Sequence, residues 1–299
     1  MPLAYFNGRW IDQSDLRISA NDLGFVLGAT LVERLRTFQW RPFRVDAHVA
    51  RLKNALVAVG WDAERLADEV RHALEEFPVK NAAHFLKGDD WAIVAFVTPG
   101  ETYDATHPTV AVHGFPLPFA GWAPQFESGV ELTVVDVRQV PGNSVPPHVK
   151  CRSRMHYYLA DCEARRRAPG TRALLLDQQG FIGEASTANV VAYFPKRGLV
   201  TPRLDAVLPG ISQEVLFELA EKRGLKRTEA DLTPQEFAAA EEIFLTSTSI
   251  CLLPVVRLDG LPVGAGVPGG VYRDLLADWS RAVGVEIAEQ ARNFASRPH

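Results

Sequence analysis

Cysteine is scarce: Cys151, Cys162 and Cys251 are the only three in 299 residues. Their number is odd and their spacing fits no metal-ligand pattern. Neither a disulfide framework nor a metal centre is expected, and a reduced, cytoplasmic setting fits best. Basic charge is also short, with 32 Lys and Arg against 36 Asp and Glu, a net charge of −4 and a pI of about 6.1. A nucleic-acid binder would carry a basic surplus, so no such partner is expected. No apolar run approaches the roughly 18 residues of a membrane span. The opening MPLAYFNGRWIDQ lacks the basic start and apolar stretch of a secretory leader, so none is expected. Tandem repeats and low-complexity tracts are absent. Between Gly88 and Asp136 there is neither lysine nor arginine.

Apolar residues make up 47% of the chain, enough for one large core or two medium ones without a metal or disulfide staple. In AYFNGRWI, Asn7-Gly8 supplies a hairpin turn. TLVERLRTFQWRPFRV reads as two strands. DAHVARLKNALVAVG reads as a helix capped by Asp46, striped by Val49, Leu52, Leu56 and Val59, and ended by Gly60. A second helix is expected around residues 63–77, followed by strands WAIVAFVT and TVAVHGF. The Pro-, Gly- and aromatic-rich stretch at 119–128 reads as a linker between a domain at 1–118 and one at 129–299. Beyond it come strand VELTVVDV, a helix at 155–167, strands RALLLD and NVVAYF, and a helix after LPGIS. A capping box follows at Thr233-Pro234-Gln235-Glu236, then strand EIFLTS, a strand near PVVRLDG and a final helix at 271–283. The pattern is that of a two-domain mixed α/β chain.

One lysine, Lys150, sits between the turn NSVPPHV and the helix at 155–167. A lysine there is either a solvated surface residue or an amine held ready to attack a carbonyl. The second role needs a carboxylate for a pyridinium nitrogen, a helix N-terminus and hydroxyls for a phosphate, and a basic residue to offset the phosphate. GFIGEASTANVV offers Glu184, in what reads as a loop between strands. LPGISQEV offers Ile211 and Ser212 at a helix start, and LTSTSI offers Ser247 and Thr248. Arg51 lies at least ~100° off the apolar stripe of its helix. Each alone has an ordinary structural explanation.

Taken in order, FNGRWI, LGATLVERLRTF, FRVDAHVARL, NSVPPHVK, LADCEARR, GFIGEASTANVV, LPGIS and IFLTSTS resemble the fold-type IV pyridoxal-phosphate enzymes. Within them the class IV aminotransferases are the match, with the branched-chain amino acid aminotransferases nearest in the approach to the lysine and a similarity also to the D-amino-acid aminotransferases and aminodeoxychorismate lyases. The resemblance implies a small α+β N-terminal domain and a larger α/β barrel-like C-terminal domain that carries Lys150. It implies pyridoxal 5'-phosphate as cofactor, Lys150 as Schiff-base lysine and proton carrier, and Glu184 as partner of the ring nitrogen. Arg51, Ile211, Ser212, Ser247 and Thr248 fall at phosphate-binding positions, and Asn189 at a structural one. Glu33 and Arg36 fall at substrate-side positions. A homodimer is implied, with an amino acid of branched-chain type and a 2-oxo acid as substrates.

Some positions depart from that pattern. Val32 stands where relatives usually carry Phe or Tyr toward the substrate, and Cys251 where a glutamate is common. The cation-free stretch from Gly88 to Asp136 removes an arginine that relatives use. Arg36, Arg152 and Arg154 are then the expected carboxylate ligands, with His156 and Tyr157 as neighbouring candidates. Two alternatives stay open: a lyase of the aminodeoxychorismate type, which would release pyruvate, and a non-catalytic cofactor-binding relative.

Overall fold

The computed structural model describes residues 1–297. Two compact units result: Met1–Leu117 with His148–Ser153, and Pro118–Pro147 with the chain from Arg154 onward.

The first unit is a six-stranded antiparallel sheet against two helices. Strands β1 (Leu3–Phe6) and β2 (Arg9–Asp12) form the hairpin, with Asn7 and Gly8 both at positive φ as its turn requires. β3 (Leu31–Phe38), β4 (Arg41–Pro42), β5 (Trp91–Thr98) and β6 (Thr109–Pro116) complete the order β2-β1-β6-β5-β3-β4, and a single turn, α1 (Leu23–Val26), precedes β3. Alternation sends Leu31, Leu35, Ile93, Ala95, Val97, Val110 and Val112 into the core under α2 (Val45–Val59) and α3 (Ala63–Lys80). Gly60 ends α2 in the left-handed conformation. One expectation for α2 is corrected: its cap is Arg44, itself left-handed, and Asp46 lies inside the first turn. Arg51, although off the apolar stripe, is buried, because Glu33 on the sheet beneath gives it a partner. α3 continues past Phe77 through Pro78 to Lys80, with Asn81 as its C-cap.

In the second unit, α4 (Gln125–Ser128) leads into β7 (Val130–Arg138), α5 (Met155–Arg167), β8 (Arg172–Leu176), β9 (Ile182–Ala185), β10 (Asn189–Phe194) and β11 (Gly198–Thr201). Then come α6 (Ile211–Lys222), β12 (Arg227–Glu229), α7 (Pro234–Ala238), β13 (Glu242–Ser247), β14 (Cys251–Leu258), β15 (Leu261–Pro262), α8 (Gly270–Val283) and α9 (Ile287–Asn293). The strands form one mixed sheet in the order β12-β11-β10-β13-β14-β7-β8-β9, with β15 on β14. Its closure follows from chain length. Three residues join Ala185 at the end of β9 to Asn189 at the start of β10. They reach at most about 14 Å. Five strand spacings across a flat sheet would need about 24 Å. The six strands β10 to β9 must therefore curl toward one another, which is the barrel-like form. Thr233 and Glu236 make the reciprocal capping box at α7.

Two boundaries differ from the sequence reading. The stretch 119–128 is no free linker: Phe119, Ala123 and Phe126 are buried, and the Tyr272 hydroxyl donates to the Phe126 carbonyl at 3.0 Å. The segment His148–Ser153, expected in the second domain, belongs to the first unit. The cause is β3, whose edge has backbone groups to satisfy. Val32 N–H donates to Lys150 O at 2.9 Å, Arg152 N–H donates to Thr30 O at 2.9 Å, and Leu31 pairs with Cys151.

Candidate active site

In the first unit, Lys150 is laid along the start of β3 by those backbone bonds. Antiparallel pairing puts directly opposed residues on one face, so Lys150 shares a face with Val32, and Arg152 with Thr30. Ser153 Oγ fixes the far end of the segment by donating to Gly28 O at 2.7 Å.

Glu33 points to the opposite, helix-covered face. It is almost wholly buried and accepts from Arg51 Nε at 2.8 Å and from Arg51 Nη2 at 2.7 Å. His48 Nδ1 lies 2.7 Å from Glu33 Oε2. An ionised carboxylate only accepts, so this nitrogen carries the proton. Burial pushes the Glu33 carboxyl upward, but the Arg51 charge and the bonds from Arg51 and His48 outweigh it and hold the group down at about 2. Burial also lowers His48, against the pull of Glu33 and with the repulsion of Arg51 and Lys150, which keeps its imidazole neutral. Arg51, the expected phosphate ligand, is therefore oriented from behind by a carboxylate and a neutral histidine. The signal was present in the sequence: His48 and Arg51 are three apart on α2, and Glu33 alternates with the core residues Leu31 and Leu35.

Of the expected substrate residues in this unit, Val32 is buried on the Lys150 face. Arg36 is buried as well, with its guanidinium 4.1 Å from the Phe38 ring and Nε donating to Thr37 O at 3.3 Å. Arg152 is exposed.

In the second unit, Glu184 lies on β9 and not in a loop, with 8% of its surface exposed. The Tyr157 hydroxyl donates to Glu184 Oε1 at 2.9 Å, and Asn189 Nδ2 stands 3.5 Å from Oε2 while donating to Leu208 O at 2.8 Å. Burial and the Glu184 charge push the Tyr157 phenol well up, so it stays a donor. Asn189 also explains Gly210: a Cβ there would come within 2.0 Å of Asn189 Oδ1. Gly210 is the N-cap of α6, and no side chain caps that helix. The first-turn N–H groups at Ile211 and Ser212 thus suit a phosphate. Ser247 closes β13, opposite Cys251, which returns at positive φ and is buried; Thr248 stands in the turn. The neighbouring Thr246 hydroxyl is buried without a hydrogen-bond partner among the described residues. Arg154 caps α5.

These features suit a phosphorylated pyridine cofactor. The uncapped twelve-residue helix accepts an anion, and a buried carboxylate oriented by a tyrosine and an asparagine suits a protonated ring nitrogen.

Comparisons with known proteins agree with the geometry. The family model described as Amino-transferase class IV matches residues 30–258. A Methanocaldococcus jannaschii protein, provisionally named a branched-chain-amino-acid aminotransferase, is 28% identical over 284 residues, covering 91% of this chain and 93% of the relative. The D-alanine aminotransferase of Bacillus licheniformis is 26% identical over 283 residues, covering 90% and 93%. Among solved structures, the branched-chain amino acid aminotransferase of Escherichia coli superposes with a TM-score of 0.85 at 23% identity, covering 96% of this chain and 95% of that one. At that identity the likeness speaks for the fold.

Proposed function

The chain belongs to the class IV aminotransferases, and on that premise we propose that it moves an amino group between an amino acid of branched-chain type and a 2-oxo acid, with pyridoxal 5'-phosphate on Lys150. The observation that carries the reading is the docking of the Lys150 segment on β3, two hydrogen bonds deep, on a face floored by buried Val32. An exposed lysine has no need of that anchorage.

In this reading the phosphate is held by Arg51, by the N–H groups of Ile211 and Ser212, and by the hydroxyls of Ser247 and Thr248. Glu184 opposes the ring nitrogen. When bound, the cofactor supplies an electron sink for the pair left behind as the α-proton departs. Lys150 Nζ takes that proton from the substrate α-carbon and hands it on to the cofactor carbon that receives the amino group, as amino transfer requires. Tyr157 and Asn189 hold the Glu184 carboxylate in one orientation. Glu33 offsets the Arg51 charge and fixes its fork, so less side-chain freedom is lost when an anion arrives.

The proposal extends to a homodimer. Phe25, Val26 and Leu27 present an exposed apolar run and Tyr103 is 81% exposed, which supports contact with a second copy. Among the described residues no helix is long and apolar enough to cross a membrane.

The test is turnover with L-leucine, L-valine or L-isoleucine and a 2-oxo acid. Stoichiometric exchange is expected, with no turnover beyond a single half-reaction per site in the absence of the 2-oxo acid. Pyruvate release without an acceptor would replace the reading with a lyase.

A further inference from the structure

The face of the first sheet turned away from its helices sets two arginines, Arg34 and Arg36, in successive rows among apolar residues. Register defines the rows. Phe6, Ala111, Phe96 and Val32 stand side by side across β1, β6, β5 and β3, and the next row is His113, Val94 and Arg34. The row beyond is Phe115, Ala92 and Arg36. Buried Val32, Val94, Phe96 and Ala111, with Phe6 and Phe115 beside them, form the floor. No Asp or Glu occupies any of these rows. Asp22 lies beyond the far end, accepting from Thr98 and Thr109.

Onto this floor the fold places two groups that the sequence reading left out. The Arg34 guanidinium is 5.3 Å from the Phe115 ring, and the His113 ring stands 6.2 Å from Phe115 and 6.3 Å from Phe96. Their Cα atoms are two strand spacings apart, about 10 Å, with Val94 between, so a small anion can be reached from both sides. Lys150 opposes Val32 on the same face, and Arg34 follows Val32 by two residues, about 7 Å along the strand. A carboxylate a few bonds from an atom held at Lys150 falls within the reach of an arginine so placed.

We propose that Arg34 and His113 form the carboxylate-recognition pair of this enzyme, replacing the cation missing from the Gly88–Asp136 stretch. Arg34 supplies the charge and the planar fork, and His113 a neutral ring N–H. His113 is suited to that role because burial, then Arg152 and Arg34, hold it down at about 4, uncharged at neutral pH. Arg36, one row over, is committed to Phe38 and Thr37. The proposal rests on the reading of Lys150 as the cofactor lysine. It names specificity-determining residues, so the effect belongs in KM and not in kcat.

The experiment uses holoprotein and the variants Arg34→Met, Arg34→Lys and His113→Phe, with L-leucine, L-glutamate and the unreactive 4-methylpentanoate as probes. Arg34→Met is expected to raise KM for both amino acids, and the inhibition constant of 4-methylpentanoate, tenfold or more at unchanged kcat and unchanged cofactor absorption. Arg34→Lys should lose less, and His113→Phe should shift the same constants severalfold. If only L-glutamate is affected, the pair holds a side-chain carboxylate, which also upholds it. If no constant moves by more than twofold in either Arg34→Met or His113→Phe, the assignment is overturned. Borohydride labelling of Lys150 in the wild type tests the underlying reading separately, so an intact label with unmoved constants sinks this proposal alone.

Discussion

Replacing Glu33 by glutamine leaves Arg51 as a buried cation without its counter-charge. Arg51 donates two bonds to Glu33, at 2.8 and 2.7 Å, and His48 adds a third contact at 2.7 Å. Breaking a buried pair by removing one partner costs about 3–5 kcal/mol, because the remaining charge keeps its desolvation penalty. Against a total stability of about 5–15 kcal/mol, that is a large fraction. Removing both charges should cost less than the sum, so Glu33→Gln combined with Arg51→Met should show a coupling of about 2 kcal/mol or more. The assay is chemical denaturation of the cofactor-free protein across the double-mutant cycle at pH 7. The pH dependence has a definite sign. Glu33 ionises at about 2 in the folded chain against an ordinary 4.5, so the unfolded chain binds more protons between those values. The stabilisation is complete above about pH 4.5 and is lost as pH falls toward 2, and Glu33→Gln should flatten that limb. A Glu33→Gln variant within 1 kcal/mol of wild type, or strict additivity with Arg51→Met, would refute the reasoning.

Tyr157→Phe removes the donor to Glu184 Oε1. A bond to a charged group is worth about 1.5–3 kcal/mol, so the first half-reaction in stopped flow should slow about tenfold while the cofactor stays bound. Gly210→Ala drives a methyl into Asn189 Oδ1, and equilibrium titration should show cofactor affinity at least tenfold weaker, with a far-UV spectrum like wild type. His113 is held at about 4 against an ordinary 6.5, so the unfolded chain binds the extra proton and stability falls as pH drops from 6.5 toward 4. His113→Phe should make that slope shallower in thermal melts at stepped pH.

Local signals carried much of the fold. The Asn7-Gly8 turn, Gly60 and the Thr233 box are encoded within a few residues, and the structure builds them as read. Features that depend on distant partners were not legible in this way. Arg51 looks like a surface residue on its own helix, and only β3, which brings Glu33 beneath it, accounts for its burial. Phe119 and Phe126 read as linker residues because nothing local says that Tyr272 and the second core will receive them. The placing of Lys150 with the first unit depends on an unsatisfied strand edge more than a hundred residues earlier in the chain. Arg34 and His113 are separated by 79 positions, and strand register alone makes them neighbours.

The central claim is that Lys150 carries the cofactor. Borohydride reduction of the holoprotein, followed by proteolysis and peptide mass mapping, tests it directly. The account predicts a pyridoxyl group on the peptide containing Lys150 and its loss in Lys150→Ala. A pyridoxyl group found only on another lysine, or retained in Lys150→Ala, would contradict it.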